Sequence, residues 1–133
     1  MKFMIDTNTC IYIIKRKPME VIDRFRQLQI SQVSISSITL SEIEYGVIKS
    51  SKPAQNYLAL AQFLAPMEIL PYGDEAAQHY GKLRVYLEKQ GTPIGSLDML
   101  IAAHALSTNC VLVTNNIKEF QRVPNLKINN WVN

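Results

Sequence analysis

Three carboxylates in this sequence stand in surroundings that seldom hold one. Asp6 ends the apolar run Phe3-Met4-Ile5, where a buried strand would ordinarily finish on a Gly or Pro turn. Asp98 sits in "LDMLIAAHALS", a stretch with almost no polar face, and a helix that is apolar all round is a buried one. An ionised carboxylate beside such a helix costs several kcal/mol unless it is paired or bound to a metal. Glu42, in "SSITLSEIEYG", lies off the Leu40, Ile43, Val47 stripe and shares a face with Gly46. A Gly inside a helix costs about 1 kcal/mol relative to Ala, which asks for a reason, and close approach of something to that face is one. Glu44 is the rival acid on the same helix, but leans toward the apolar stripe. Near the end of the chain "TNNIKEF" adds Asn116 and Glu119.

Each of these has an ordinary reading as well. Asp6 fits a helix cap, Glu42 a solvated helix face, and Asp98 a first-turn acid behind Ser96. Asn116 fits a cap and Glu119 a surface residue. Brought together, the acids mean something else. Carboxylates about 5 Å apart repel by roughly 3 kcal/mol per pair at an effective dielectric near 20. Such a cluster needs protonation, cationic partners or a bound cation. An all-oxygen ligand set selects a hard ion, Mg²⁺ or Mn²⁺, over zinc. A divalent ion held by a few carboxylates with open positions is what phosphodiester hydrolysis requires.

The elements that must position these residues alternate between strand and helix. Phe3-Met4-Ile5 reads as a first strand, followed by helices over residues 9–17 and 19–29. Val33 to Ser36 is a second strand and Ile38 to Lys49 a helix. Pro53 opens another helix, and "MEILPY" at 67–72 is a third strand. Asp74 can cap a long helix running to Gln90, with Gly91 ending it. Leu97 to Ser107 is a helix, Val111 to Val113 a strand, and a short helix near Lys118 precedes a last strand at 126–128. Strands separated by helices imply an α/β fold with a mainly parallel sheet of four to five strands covered on both faces. Ligands of such sheets bind at the carboxyl ends of the strands, where Asp6 and Thr114-Asn115-Asn116 fall.

Composition excludes several classes. The 133 residues are 47% apolar and 19% charged, which suits one domain, residues 1–133. No apolar stretch is long enough to cross a bilayer, and Asp6 interrupts the place where a secretory signal needs its apolar core. A cytoplasmic protein is expected. Cys10 and Cys110 form no C-x-x-C unit and read as packed, reduced thiols. No G-x-G-x-x-G or P-loop is present. An aspartyl-phosphate phosphatase would want Asp-x-Asp, and Asn8 stands at the third position. The net charge of +3 weakly favours a polyanionic partner.

Four segments, "FMIDTNTCIYIIK", "SSITLSEIEYG", "IGSLDMLIAAHA" and "VTNNIKEF", with the terminal "NNW", occur in the order found in PIN-domain ribonucleases, and the sequence most resembles the VapC toxins of bacterial toxin–antitoxin pairs. The resemblance implies a three-layer α/β/α domain, usually homodimeric, that cuts RNA with Mg²⁺ or Mn²⁺. It places the family's metal-holding acids on Asp6, Glu42 and Asp98. Many PIN nucleases carry a fourth acid after the fourth strand; here that place is Asn116, and the next acid is Glu119. Either residue completes the catalytic set, and one or two ions are compatible with it. Thr114 and Asn8 are expected to support the site by hydrogen bonding. The resemblance further implies tRNA as substrate and a VapB-like antitoxin covering the cleft with an Arg. Lys15-Arg16-Lys17, Lys49, Arg84 and Lys118 are candidates for phosphate contact. Tyr45 and Tyr86 read first as core packing, with base stacking as their alternative. His79 and His104 read as structural. The competing class is a catalytically silent RNA-binding or protein-interaction module on the same fold.

Overall fold

Short β-branched and aliphatic runs form the strands, and the computed structural model, which describes residues 1–132, assembles them into one sheet. The strands are β1 (Phe3–Ile5), β2 (Val33–Ser36), β3 (Glu68–Leu70), β4 (Val111–Val113) and β5 (Ile128–Asn129). The helices are α1 (Thr7–Lys15), α2 (Met19–Arg26), α3 (Ser37–Lys49), α4 (Pro53–Leu64), α5 (Asp74–Gln90), α6 (Ser96–Ser107) and α7 (Ile117–Phe120), with a 3-10 turn over Ile30–Gln32. Asn133, the last residue of the expected 1–133 unit, lies outside the described residues.

All pairings within the sheet are parallel and the strand order is β3-β2-β1-β4-β5. The chain first winds outward from β1 through β2 to β3. It then crosses back to place β4 on the other side of β1, with Ile5 opposite Val113. The reversal leaves a crevice at the carboxyl ends of β1 and β4, which is where an open parallel sheet binds ligands. The expected fold class, with five strands, is the one observed.

The pleat sends alternate residues to opposite faces. Ile5 and Val113 pack with Cys10, Ile13, Val21, Ile22, Ile43, Leu60, Phe63 and Trp131 from the α1–α4 side. Met4 and Leu112 pack with Leu83, Leu87, Met99, Ile101, Ala102 and Phe120 from the α5–α7 side. Two cores, one on each face, account for the near-total burial of β1 and β4. Both cysteines are buried and free.

Several boundaries differ from the sequence reading. α1 begins at Thr7 because Asp6 caps it, and Arg16 ends it in the left-handed conformation (φ 59°), so Lys15 is its last residue. β3 and β5 are shorter or shifted, as edge strands with one partner each. The N-cap of α5 is Gly73 and not Asp74, which is already helical and lies in the first turn, where an acid suits the helix dipole. Gly91 ends α5 at φ 69°, as its position predicts. Ser96 is the first residue of α6 behind Gly95, so it offers Asp98 no cap.

Candidate active site

Asp6 is placed by β1 and α1 together. Its backbone N–H donates to Val113 O at 3.0 Å, completing the sheet, while its Oδ1 accepts the Thr9 N–H at 2.9 Å as the N-cap of α1. Capping and site formation are therefore two uses of one side chain. It is only 5% exposed. Burial raises its pKa, hydrogen bonds from Thr114 and Thr9 pull it back, and the charge of Glu42 adds a smaller push upward. Thr114, fully buried at the end of β4, also accepts the Asn116 N–H at 3.0 Å, so it joins the two strand ends.

Glu42 reaches the crevice from the second turn of α3. Thr7 Oγ1 donates to its Oε1 at 2.7 Å, a contact between the first residue of α1 and the middle of α3. Thr7 did not emerge from the sequence; its only signal was a hydroxyl directly after Asp6. Glu44 takes no part in the cleft. Gly46 has nothing within 4 Å of where a Cβ would stand, so no close approach is made there within the chain.

Asp98 lies in the first turn of α6, partly buried. Its pKa is raised to about 7, first by burial, then by hydrogen bonding and charge repulsion from Glu119, then by Glu42 and Asp6. Near neutral pH Asp98 and Glu119 thus share a proton. Glu119 shifts the other way: beyond Asp98, it accepts from Asn116 Nδ2 at 2.6 Å and from the Gly95 N–H at 3.0 Å, which stabilise its charge. Asn116 Nδ2 also stands 3.5 Å from Asp98 Oδ2. Of the two candidates for the fourth corner, Asn116 faces the cleft, and Glu119 stands behind Asn116 and Asp98.

The resulting cleft, about 120 Å³, is walled by Asp6, Thr7, Asn8, Glu42, Asp98 and Asn116 over a floor of Ile101 and Phe120. No Lys or Arg lines it. Among the described residues no three His, Cys, Asp or Glu side chains converge closely enough to hold a metal ion as they stand. The donor set nevertheless fits a hard divalent cation. It is wholly oxygen, and burial together with the neighbouring acids Glu119, Glu42 and Asp6 pushes the Asp98 pKa up to about 7, a repulsion that a cation would relieve. A larger groove of about 390 Å³ between α1, α2 and α4 is lined by Ile13, Ile22, Phe25 and Phe63 and contains no acid, so the chemistry belongs to the smaller cleft.

The remaining candidates are dispersed. Lys15 and Glu42 line an adjoining groove between α1, α3 and α4. Lys49 sits 5.5 Å from the Tyr45 ring centre, and Arg84 is bonded to Tyr80 and Glu88 along α5. Tyr45 is 64% and Tyr86 42% exposed, which overturns core packing for both. His79 is exposed on α5 and fills no core position. His104 is buried, whereas Leu97 on the same helix is 47% exposed.

Comparison with known proteins agrees with this geometry. The family model described as "PIN domain" matches residues 3–126. The chain is 47% identical over 131 residues to the tRNA(fMet)-specific endonuclease VapC of Salmonella typhimurium, with 98% of each chain covered. It is 45% identical to Ribonuclease VapC2 of Haemophilus influenzae, with 99% of each covered. In structure it superposes with a TM-score of 0.93 on a chain of the VapBC2 complex of Rickettsia felis bound to a DNA fragment from its promoter, at 44% identity over 99% of this chain and 100% of that one. No helix among the described residues is long and apolar enough to cross a membrane. Fold, order of motifs and full-length similarity coincide: the chain belongs to the PIN-domain family, among its VapC-type ribonucleases.

Proposed function

We propose that the cleft is the active centre of a Mg²⁺- or Mn²⁺-dependent endoribonuclease toxin that hydrolyses phosphodiester bonds in RNA. The observation that carries this reading is the meeting of Asp6, Glu42 and Asp98, delivered by three different crossovers, in one oxygen-lined cleft at the switch point of the sheet. Asp6, Glu42 and Asp98 would hold the cation. The chemistry supplied when it is bound is a lowered pKa for water and neutralisation of charge on the phosphoryl group.

The chain's own residues do the rest. Thr7 holds the Glu42 carboxylate in place, and Thr114 and the Thr9 N–H do the same for Asp6. Asp98 keeps a proton near neutral pH and can give it up as positive charge arrives. The Asn116 amide, fixed by Glu119, presents a neutral hydrogen-bonding group to the cleft and completes the catalytic set, with Glu119 supporting it from behind. Lys15, beside Glu42, is the basic residue best placed to meet an RNA phosphate.

The substrate proposed is tRNA, since the Salmonella relative is named for it. The proposed regulator is a VapB-like antitoxin, supported by likeness to chains of VapBC complexes. A homodimer in the cytoplasm is the proposed working form, with the whole chain as one domain. The test is incubation of antitoxin-free protein with total tRNA and Mg²⁺, beside Asp6→Asn and an EDTA control. Cleavage by native protein alone supports the reading; cleavage that survives both controls refutes the metal–carboxylate mechanism. RNA binding without cleavage would favour the silent module.

A further inference from the structure

α3 and α6 pack on one another, with Glu42 and Asp98 lining the cleft at one end of the contact. At the other, His104 is 1% exposed and its Nδ1 lies 2.7 Å from Ser36 Oγ. The ring also hydrogen-bonds the Pro71 backbone, which has only a carbonyl to offer, so the His104 N–H donates there. In the neutral ring Nδ1 is then the acceptor, and the Ser36 hydroxyl donates to it. Ser36 Oγ still accepts the Ile38 N–H at 3.0 Å as the N-cap of α3. Burial favours the neutral ring by lowering its pKa. Every polar atom of the pair has a use.

The spacing links this contact to the site. Glu42 stands six residues after Ser36 and Asp98 six residues before His104. The two helices therefore run antiparallel, with Ser36–His104 at one end and Glu42 facing Asp98 about 9 Å away along both axes. Between these ends stands Ile101, 1% exposed, which also lines the cleft, and Ile38 of α3 packs against the same core. Thr39, fully buried on α3, has no hydrogen-bond partner for its Oγ1 among the described residues and adds no lock. Among those residues His104–Ser36 is the only side-chain hydrogen bond joining α6 to α3 or its cap.

We propose that His104 is a positioning residue: its bond to Ser36 sets the axial register of α6 against α3, and through it the placement of Asp98 against Glu42 for cation binding. This rests on the metal reading above. A slip of one residue would displace a carboxylate by about 1.5 Å, more than a preorganised ligand set tolerates.

The test is direct titration of the EDTA-stripped, full-length protein with Mn²⁺ at pH 8, read by the electron paramagnetic resonance of free Mn²⁺, with thermal melts of each sample. His104→Leu keeps the volume and loses the bond; His104→Asn restores a polar atom where Nδ1 stands. The expected result is a folded His104→Leu protein whose Mn²⁺ dissociation constant is raised about tenfold, the scale of losses in supporting groups around metal ligands. His104→Asn should recover most of that loss. A folded His104→Leu that binds Mn²⁺ as native protein does, or a His104→Asn as weak as His104→Leu, overturns the proposal, since a purely structural role lowers the melting temperature without moving the affinity. Should His104→Leu not fold, Ser36→Ala leaves the imidazole in place and is expected to weaken binding likewise; unchanged affinity there overturns it. Native protein that binds no Mn²⁺ at millimolar concentration overturns the metal reading and this inference with it, whereas native binding with unchanged variants overturns this inference alone.

Discussion

Replacing Asp98 by Asn should stabilise the metal-free protein at alkaline pH while abolishing cleavage. The carboxamide has the shape of the protonated acid and can donate to Glu119 as Asp98 does when it carries its proton. The Asp98 pKa rises from 3.8 to about 7, so the folded protein holds a proton that the unfolded chain has lost. A raised pKa contributes stability that is complete below the unfolded value and is lost as pH climbs through the folded value. Metal-free native protein should therefore weaken between about pH 4 and 7, in line with linkage. Glu119 shifts downward from 4.5, so its contribution is present above that value and is lost as pH falls, at the acid edge of this window. The Asp98 shift sets a ceiling of about 4 kcal/mol at about 1.4 kcal/mol per unit. Asp98 is only partly buried, and solvent screening reduces this to about 1 to 2 kcal/mol. That corresponds to a gain of about 4 to 8 °C in melting temperature at pH 8. Melts in EDTA from about pH 4 to 8.5 would show Asp98→Asn and native protein together at the acid end, separating up to about pH 7 and keeping a constant gap above it. An Asn variant that melts at or below the native protein at pH 8, or two curves that stay parallel across the whole range, would refute the proton-sharing account of the site.

Other expectations follow from single contacts. Thr7→Val removes the donor that holds Glu42 and should lower cleavage about tenfold with the fold retained, measured as initial rates at saturating Mg²⁺. Thr39→Val replaces a buried, unpartnered hydroxyl and should raise stability by about 1 kcal/mol in urea unfolding; destabilisation would mean that Oγ1 has a partner in solution. Gly46→Ala meets no atom within 4 Å and should stabilise α3 by about 1 kcal/mol, with the melting temperature as the readout.

Much of the fold was legible because burial leaves a one-dimensional trace. A parallel strand covered on both faces must be apolar throughout, as Phe3-Met4-Ile5 and Val111-Leu112-Val113 are, and the helices between them must cross over. Chain ends and edge strands were read less well. β3 and β5 have one neighbour each, so their limits depend on pairing and not on composition. Gly73 and Gly95 took the cap positions that Asp74 and Ser96 suggested, because backbone geometry at the entry to a helix is decided by where the preceding segment points. Exposure of Tyr45, Tyr86 and Leu97 was equally hidden, since an aromatic or Leu side chain has the same periodic signature whether its face meets a core or open solvent.

The acids divide the same way. That Asp6 and Asp98 occupied unfavourable surroundings was visible in the residues next to them, and their type alone restricted the chemistry to hard cations and protons. Which groups actually meet was decided by the third dimension. Thr7 reaches Glu42 across 35 positions of sequence, and His104 reaches Ser36 across 68. Asn116 turns to the cleft while Glu119 retires behind it. Side-chain hydrogen bonds of this kind act over about 3 Å, and no local pattern records which distant segment the fold will bring within that range.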